Sequence, residues 1–96
     1  ALPILKNVKT GEETQLPVDG MFVFVGYEPQ NSFLPAGLEL DPQGFIITDC
    51  EMRTNLPGLF AAGDIRSKMC RQVTTAVGDG ATAATAAFTY LEQLDA

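Results

Sequence analysis

Histidine and tryptophan are absent from this sequence of 96 residues, which contains only two cysteines, Cys50 and Cys70. Without histidine, and without a C-x-x-C spacing, the chain lacks the usual ligands of a zinc site and the dithiol of a redox-active disulfide. We therefore expect no metal site. Free cysteines are among the most buried residue types, so we expect both thiols to be buried, unpaired and inert.

Basic residues are scarce as well. Six Lys and Arg residues stand against twelve Asp and Glu residues, which gives a net charge of −6. Because nucleic acids and anionic membranes are bound through clustered Lys and Arg, this balance argues against both as partners. No apolar stretch approaches the ~18–20 residues needed to span a bilayer, and no basic-then-apolar leader opens the chain. We expect a cytoplasmic protein.

Hydrophobic residues make up 46% of the chain and charged residues 19%, as in an ordinary globular protein. The length allows one small domain with a thin core. Two short strands within Leu2–Leu16 are predicted around a turn at Gly11, and the apolar run Met21–Val25 is predicted to be a central strand. The loop after it, Gly26–Asn31, is a candidate ligand-binding edge.

Two further strands are predicted in the middle of the chain. Asp41–Gly44 has the composition of a turn, and Phe45–Thr48 follows it as a strand. Leu59–Ala62 is another buried strand, which ends on Gly63 and Asp64. Ligands of doubly wound sheets bind at such strand ends, where Gly63 admits a ligand and the Asp64 carboxylate accepts hydrogen bonds from sugar hydroxyls. Alternatively, Asp64 caps a local turn.

A long helix is predicted from Gln72 to Leu94, because apolar residues recur there at intervals of three and four. Gly78 and Gly80 each cost about 1 kcal/mol in a helix interior, and close approach of the helix to a strand or a cofactor would explain them. The residues of the apolar face are Val73, Ala76, Val77, Ala81, Ala84, Ala87, Phe88, Leu91 and Leu94.

Arg71 and Gln72 stand at the start of this helix. Unpaired N–H groups and the positive end of the helix dipole favour an anion or an electron-rich ring edge, such as that of a reduced flavin. Arg71 is either part of such a site or a solvated surface side chain.

These segments together resemble the C-terminal flavin-binding part of the low-molecular-weight thioredoxin reductases. The Gly-Asp pair is typical of the wider flavoprotein disulfide reductases, and the Arg-Gln pair before the helix is typical of the thioredoxin reductase type. The resemblance covers essentially the whole chain. It is carried by Asn7–Glu12, Val18–Pro29, Gly44–Asp49, Thr54–Ile65, Arg71–Ala76 and Gly78–Ala81.

The resemblance implies an α/β fold: the C-terminal half of a Rossmann-like FAD-binding domain, mostly strands with one long C-terminal helix. Residues 1–16 would be a hairpin remnant of the NADPH domain, and residues 17–96 the C-terminal part of the FAD-binding domain. The cofactor would be FAD. Its contacts, carried over by position, would be Gly63, Asp64, Arg71, Gln72 and Val73.

Three motifs of the family are missing from this chain: the G-x-G-x-x-G for the FAD pyrophosphate, the second glycine-rich motif for NADPH, and the redox-active C-x-x-C. The resemblance therefore implies a fragment with half of an FAD site, no catalytic residue and no turnover by itself. Its partner would be the N-terminal FAD and NADPH portion of the same polypeptide. The parent enzyme would pass electrons from NADPH through FAD to thioredoxin or a similar disulfide protein.

Two alternatives stay open. The parent could be a related flavoprotein, such as a peroxiredoxin-reducing subunit or a ferredoxin–NADP reductase of this type. The chain could also be a stand-alone, non-catalytic module that self-associates. Uncovered strand edges and an uncovered apolar helix face predict association, as a homodimer or by strand exchange.

Overall fold

The computed structural model describes residues 1–96, with two strands and one helix in the order β1 (Ile4–Lys6), β2 (Glu13–Gln15) and α1 (Val73–Asp95). The chain between β2 and α1 forms turns, bends and isolated bridges. The molecule measures 69 × 26 × 21 Å and its radius of gyration is 20.1 Å, against roughly 12–13 Å for a compact chain of this length. Much of its apolar surface is therefore uncovered.

The predicted N-terminal hairpin is confirmed. β1 and β2 pair antiparallel, with Ile4 opposite Gln15 and Lys6 opposite Glu13. Gly11 takes a positive φ of 75° in the connecting loop and donates its N–H to the Asn7 carbonyl across 2.8 Å. Neither strand contacts α1, and all six side chains are exposed. A hairpin with no covering layer is marginally stable in water.

The prediction of a central strand at Met21–Val25 is wrong for this chain. These residues form no strand, and Phe22 and Phe24 are both 88% exposed. A central strand needs a hydrogen-bonded neighbour on each edge. No other segment of the chain pairs with this one, so its apolar side chains face solvent.

The strands predicted at Phe45–Thr48 and Leu59–Ala62 are reduced to isolated bridges. Ile46 pairs with Leu40 and Arg66, and Phe60 pairs with Arg53. Within these residues the expected Rossmann-like sheet is thus not confirmed, because its neighbouring strands do not form and the chain has one two-stranded sheet and one helix. The turn predicted at Asp41–Gly44 is confirmed by the bond from the Gly44 N–H to the Asp41 carbonyl, 2.9 Å long.

The core is small and lies between these bridges and the middle of α1. The Ala61 N–H donates to the Met52 carbonyl across 3.0 Å, and the Ile46 N–H donates to the Ile65 carbonyl across 3.0 Å. These bonds hold the loop segments together although no continuous sheet forms. The buried hydrophobic residues are Phe45, Ile46, Met52, Ala61 and Ala86.

The predicted C-terminal helix is confirmed as α1, with Gln72 as its N-cap residue. Its apolar face is nevertheless uncovered: the side chains of Val73, Val77, Phe88, Leu91 and Leu94 are 58–80% exposed. The helix contacts the rest of the chain through another face, which includes the buried Asp79 and Ala86. α1 is not long and apolar enough to cross a membrane.

Two smaller predictions fail as well. Cys50 and Cys70 are free, as expected, but both are exposed, because the small core does not reach their loops. Gly78 and Gly80 face open space, with no atom within 4 Å of a Cβ built at either position. Close approach to another strand of this chain does not explain them.

Candidate functional site

Gly63 and Asp64 lie where the chain leaves the core and turns towards α1. Gly63 is buried and has a φ of +83°, a conformation that disfavours residues with a side chain. A Cβ built on Gly63 would lie 3.7 Å from the Cβ of Ala76 in α1, which is ordinary contact. The backbone conformation, rather than lack of space, therefore accounts for glycine here.

The Gly63 amide binds a carboxylate that the sequence did not single out. Its N–H donates to Oδ2 of Asp79 across 3.0 Å. The same oxygen accepts from Nε of Arg66 at 2.9 Å and from Nζ of Lys68 at 2.7 Å, while Oδ1 accepts from Nη2 of Arg66 at 3.3 Å. We call Gly63, Arg66, Lys68 and Asp79 the Asp79 cluster.

The Asp79 cluster is mostly buried, since the side chains of Arg66, Lys68 and Asp79 retain 15%, 8% and 11% exposure. The hydrogen bond from Arg66 lowers the pKa of Asp79 far below its ordinary value, and the bonds from Lys68 and Gly63 lower it further, while burial acts in the opposite direction. Asp79 is thus ionised at neutral pH, and its charge is balanced inside the protein.

Arg71 holds the same loop from the other side. Its Nε donates to the Asp64 carbonyl across 2.9 Å, and its Nη2 donates to the Arg66 carbonyl across 3.1 Å. The guanidinium carbon lies 3.7 Å from the centre of the Phe45 ring and 5.7 Å from that of Tyr27, distances suited to cation–π attraction. Arg71 is therefore an ordered part of the loop rather than a freely solvated side chain.

Asp64 itself is exposed. The carboxylates of Asp41 and Asp49 accept backbone N–H bonds in their local turns, whereas Asp64 accepts a hydrogen bond through its backbone carbonyl. The Asp64 carboxylate also takes part in none of the three ion pairs of the chain. The turn-capping alternative is thus not what the structure shows, and the Asp64 carboxylate is available as an acceptor.

Gln72 and Val73 begin α1 directly after Arg71, and both are exposed. The Gln72 N–H donates to Oγ1 of Thr75 across 3.1 Å. The N–H groups of the first helical turn that follow have no partner inside a helix and carry its positive dipole end. This helix start therefore offers hydrogen-bond donors beside the Asp64 loop.

A pocket of about 290 Å³ opens beside Asp64 and Arg71. The loop at Gly26–Asn31, predicted as a ligand-binding edge, contributes one wall, and Phe45 and Ile65 contribute another. A second pocket of about 440 Å³ is almost wholly apolar and shares Phe33 and Ile65 with the first. The structure thus places an acceptor, a cation and an aromatic surface around one cavity.

No group of three or more His, Cys, Asp or Glu side chains is arranged to hold a metal ion.

Sequence reasoning missed Arg66, Lys68 and Asp79. The available signal was Asp79 itself, a carboxylate between two glycines and the first charged residue of a helix that has no other until Glu92, preceded by three basic residues in the loop. Pairing them requires the loop to fold back onto the second turn of α1, which periodicity alone does not indicate.

Residues 3–80 match the family described as pyridine nucleotide-disulphide oxidoreductase. The chain is 52% identical over 91 residues to a thioredoxin reductase of Treponema pallidum, covering 95% of this chain and 29% of that protein. It is 48% identical over 88 residues to a protein of Clostridium pasteurianum described as a 34.2 kDa protein in the rubredoxin operon, covering 92% of this chain and 29% of that one.

Among solved structures, the chain is similar to the Lactococcus lactis thioredoxin reductase in its FR conformation, with a TM-score of 0.76 and 50% identity over 94% of this chain and 30% of that one. The T. acidophilum thioredoxin reductase gives a TM-score of 0.79 with 41% identity over 97% of this chain and 30% of that one. The chain thus spans about 30% of the length of these structural relatives.

Proposed function

Because the chain belongs to the pyridine nucleotide-disulphide oxidoreductase family, we propose that it contributes half of the FAD site of a flavoprotein of the thioredoxin reductase type. The observation that carries the proposal is the bond from Arg71 Nε to the Asp64 carbonyl, 2.9 Å long. It joins the two segments that the resemblance assigns to the flavin, the Gly-Asp loop and the start of α1.

The residues present fit such a cofactor by the chemistry of their groups. The exposed Asp64 carboxylate is an acceptor suited to ribityl hydroxyls. The first-turn amides after Gln72, at Val73 and beyond, suit the electron-rich edge of a ring. Gly63 sets the loop conformation, and Arg71 holds it beside the helix. We therefore assign Gly63, Asp64, Arg71, Gln72 and Val73 to the proposed flavin site.

In this proposal the chain is one part of a larger Rossmann-like arrangement. Residues 1–16, a hairpin that contacts no other element, would belong to the NADPH domain. Residues 17–96 would be the C-terminal part of the FAD-binding domain. The unpaired Met21–Val25 segment and the uncovered face of α1 would pack against the N-terminal portion of the same polypeptide. This accounts for exposed aromatic side chains such as Phe22 and Phe24.

When bound, FAD supplies a two-electron carrier between NADPH and a protein disulfide. The proposed parent activity is the NADPH-dependent reduction of thioredoxin or a similar disulfide protein, whose disulfide takes up two electrons and two protons to become two thiols. The residues of this chain would bind and orient the carrier and take no chemical step. The names of the relatives support this reading over a peroxiredoxin-reducing subunit or a ferredoxin–NADP reductase.

The test uses a chimera of the L. lactis thioredoxin reductase, with residues 1–96 in place of the matching segment. We expect the chimera to be isolated with one FAD per chain and to reduce thioredoxin with NADPH. The 96-residue chain alone should retain little or no FAD, because it lacks a glycine-rich pyrophosphate loop. A folded chimera without flavin would contradict the proposal, and tight stoichiometric FAD binding by the isolated chain would contradict the half-site argument.

A second candidate function is self-association, as a homodimer or a larger species. The observation that favours it is the combined exposure of Met21–Val25 and of the apolar face of α1. Large exposed apolar patches are rarely left in water, and they mark interaction sites. In the 96-residue chain the same surface would meet a second copy when no N-terminal portion covers it.

A further inference from the structure

We propose that Asp79 is the positioning residue of the Gly63–Arg66 loop, holding this loop on the second turn of α1 and thereby orienting Asp64 beside the start of the helix. The consequence for cofactor binding rests on the proposed function. That Asp79 fixes the position of the loop is independent of the proposed function, since it follows from the geometry of the Asp79 cluster.

The hydrogen bonds of Asp79 reach the loop on both sides of Asp64. Asp79 binds the Gly63 amide at 3.0 Å and the Arg66 side chain at 2.9 Å, so it contacts the residue directly before Asp64 and one shortly after it. The loop closes on itself between these points, because the Arg66 N–H donates to the Gly63 carbonyl across 3.2 Å. Asp64 is therefore carried on a turn whose two ends meet at one carboxylate.

Asp79 is the anion of a mostly buried cluster that contains two cations. The Lys68 ammonium retains only 8% side-chain exposure and lies 2.7 Å from Asp79, with the Arg66 guanidinium on the same oxygen. Removing the carboxylate charge leaves two mostly buried cations facing each other without an anion, which is strongly unfavourable. The loop would have to move outwards to hydrate them. No other acidic side chain forms an ion pair with either cation.

Arg71 and Asp79 bind different groups of the loop. Arg71 binds only backbone carbonyls of the loop, those of Asp64 and Arg66. Asp79 instead binds the Gly63 amide and the side chains of Arg66 and Lys68. The two residues flank the helix start at Gln72, so together they set the distance between the Asp64 loop and the first-turn amides. Neither contact uses the Asp64 carboxylate, which stays available.

The experiment uses the full 96-residue chain without any flavin, and compares Asp79→Asn with Asp95→Asn at the exposed end of the same helix. Asn has nearly the shape of Asp but no charge. We expect Asp79→Asn to shift the Gly63 amide proton resonance and to speed hydrogen exchange at Gly63 and Arg66 by about tenfold or more, the size of one lost charge-assisted hydrogen bond. Exchange in the last turns of α1 should stay unchanged, and Asp95→Asn should change none of these signals.

Two further variants keep the test decisive if Asp79→Asn unfolds the chain. Lys68→Gln removes one cation and leaves the Gly63 bond in place, so Gly63 exchange should rise by only a few fold. Asp79→Glu keeps the charge on a side chain one methylene longer, so Gly63 should retain part of the protection that it has in the unaltered chain; a folded Asp79→Glu chain in which only the Gly63 amide is fully unprotected would show that charge without the Asp79 geometry does not hold the loop.

An unchanged Gly63 amide in a folded Asp79→Asn chain would overturn the proposal. Uniform loss of protection along α1, equal in Asp79→Asn and Lys68→Gln, would overturn it too, because Asp79 would then serve helix stability alone. Neither readout involves FAD. A failure of flavin binding in the chimera therefore tests the proposed function separately.

Discussion

The Nε–H of Arg71 donates to the carbonyl oxygen of Asp64 across 2.9 Å. The guanidinium is at the same time packed 3.7 Å from the centre of the Phe45 ring. A single side chain thus connects the loop that bears the candidate acceptor, the start of α1 and the small core.

Replacement of Asp64 by Ala should weaken FAD binding in the chimera by about ten- to a hundredfold, because hydrogen bonds to a charged acceptor contribute roughly 1.5–3 kcal/mol. Fluorescence titration of the flavin-depleted chimera with FAD measures the change. Asp49→Ala, which removes a carboxylate that serves only its local turn, is the control for a lost negative charge. Equal affinity for the Asp64→Ala and unaltered chimeras would remove Asp64 from the site.

Replacement of Arg71 by Lys should also lower FAD affinity, by about tenfold. The ammonium cannot bind the Asp64 and Arg66 carbonyls together in the planar geometry of a guanidinium. Arg53→Lys is a matched control, since Arg53 forms an exposed pair with Glu51 at 2.9 Å. If both substitutions changed FAD affinity equally in the same titration, the loop-holding role of Arg71 would be refuted.

Acid should destabilise the chain through Asp79. Its pKa in the folded protein lies below that of an unfolded Asp, so its contribution to stability is complete above about pH 4, the pKa of an unfolded Asp, and is lost as the pH falls through the lower folded value. Far-ultraviolet circular dichroism of α1 against pH measures the loss. The profile of Asp79→Asn should start from lower stability at neutral pH and be flatter in this acid range; a profile parallel to that of the unaltered chain would contradict the prediction.

Replacement of Gly80 by Ala should stabilise the 96-residue chain by about 1 kcal/mol, the difference in helix propensity. A Cβ at Gly80 meets no atom within 4 Å. Gly63→Ala should act in the opposite direction, because Gly63 has a φ of +83°. Denaturant unfolding gives both values. A destabilising effect of Gly80→Ala in the isolated chain would show that α1 has a close neighbour there, such as a second copy.

The isolated chain should self-associate in a concentration-dependent manner through its apolar surfaces. Phe88→Glu, on the uncovered face of α1, should shift the sedimentation equilibrium towards monomer. Thr85→Glu adds the same charge to an exposed polar position of the helix and should leave association unchanged. A monomer at high concentration for the unaltered chain would rule out this behaviour.

Local patterns predicted the elements that depend on neighbouring residues. The spacing of apolar residues located α1 to within about one residue at each end, and the hairpin around Gly11 and the turn at Asp41–Gly44 followed from turn chemistry. The strand predictions at Met21–Val25 and Leu59–Ala62 failed for one physical reason. A strand exists only with hydrogen-bonded neighbours, and apolar composition does not supply them.

The candidate site divides in the same way. The sequence by itself determined the family, and the resemblance predicted the FAD contacts, which are Gly63, Asp64, Arg71, Gln72 and Val73. Only the tertiary structure decided that Asp79 holds the loop and that Arg71 binds the backbone beside Asp64. These contacts join residues that lie 7 and 16 positions apart in the chain, further than the spacing of three and four on which the helix prediction depends, and those of Asp79 also depend on the burial of its charge beside Arg66 and Lys68. Burial is a property of the folded chain, which no local pattern contains.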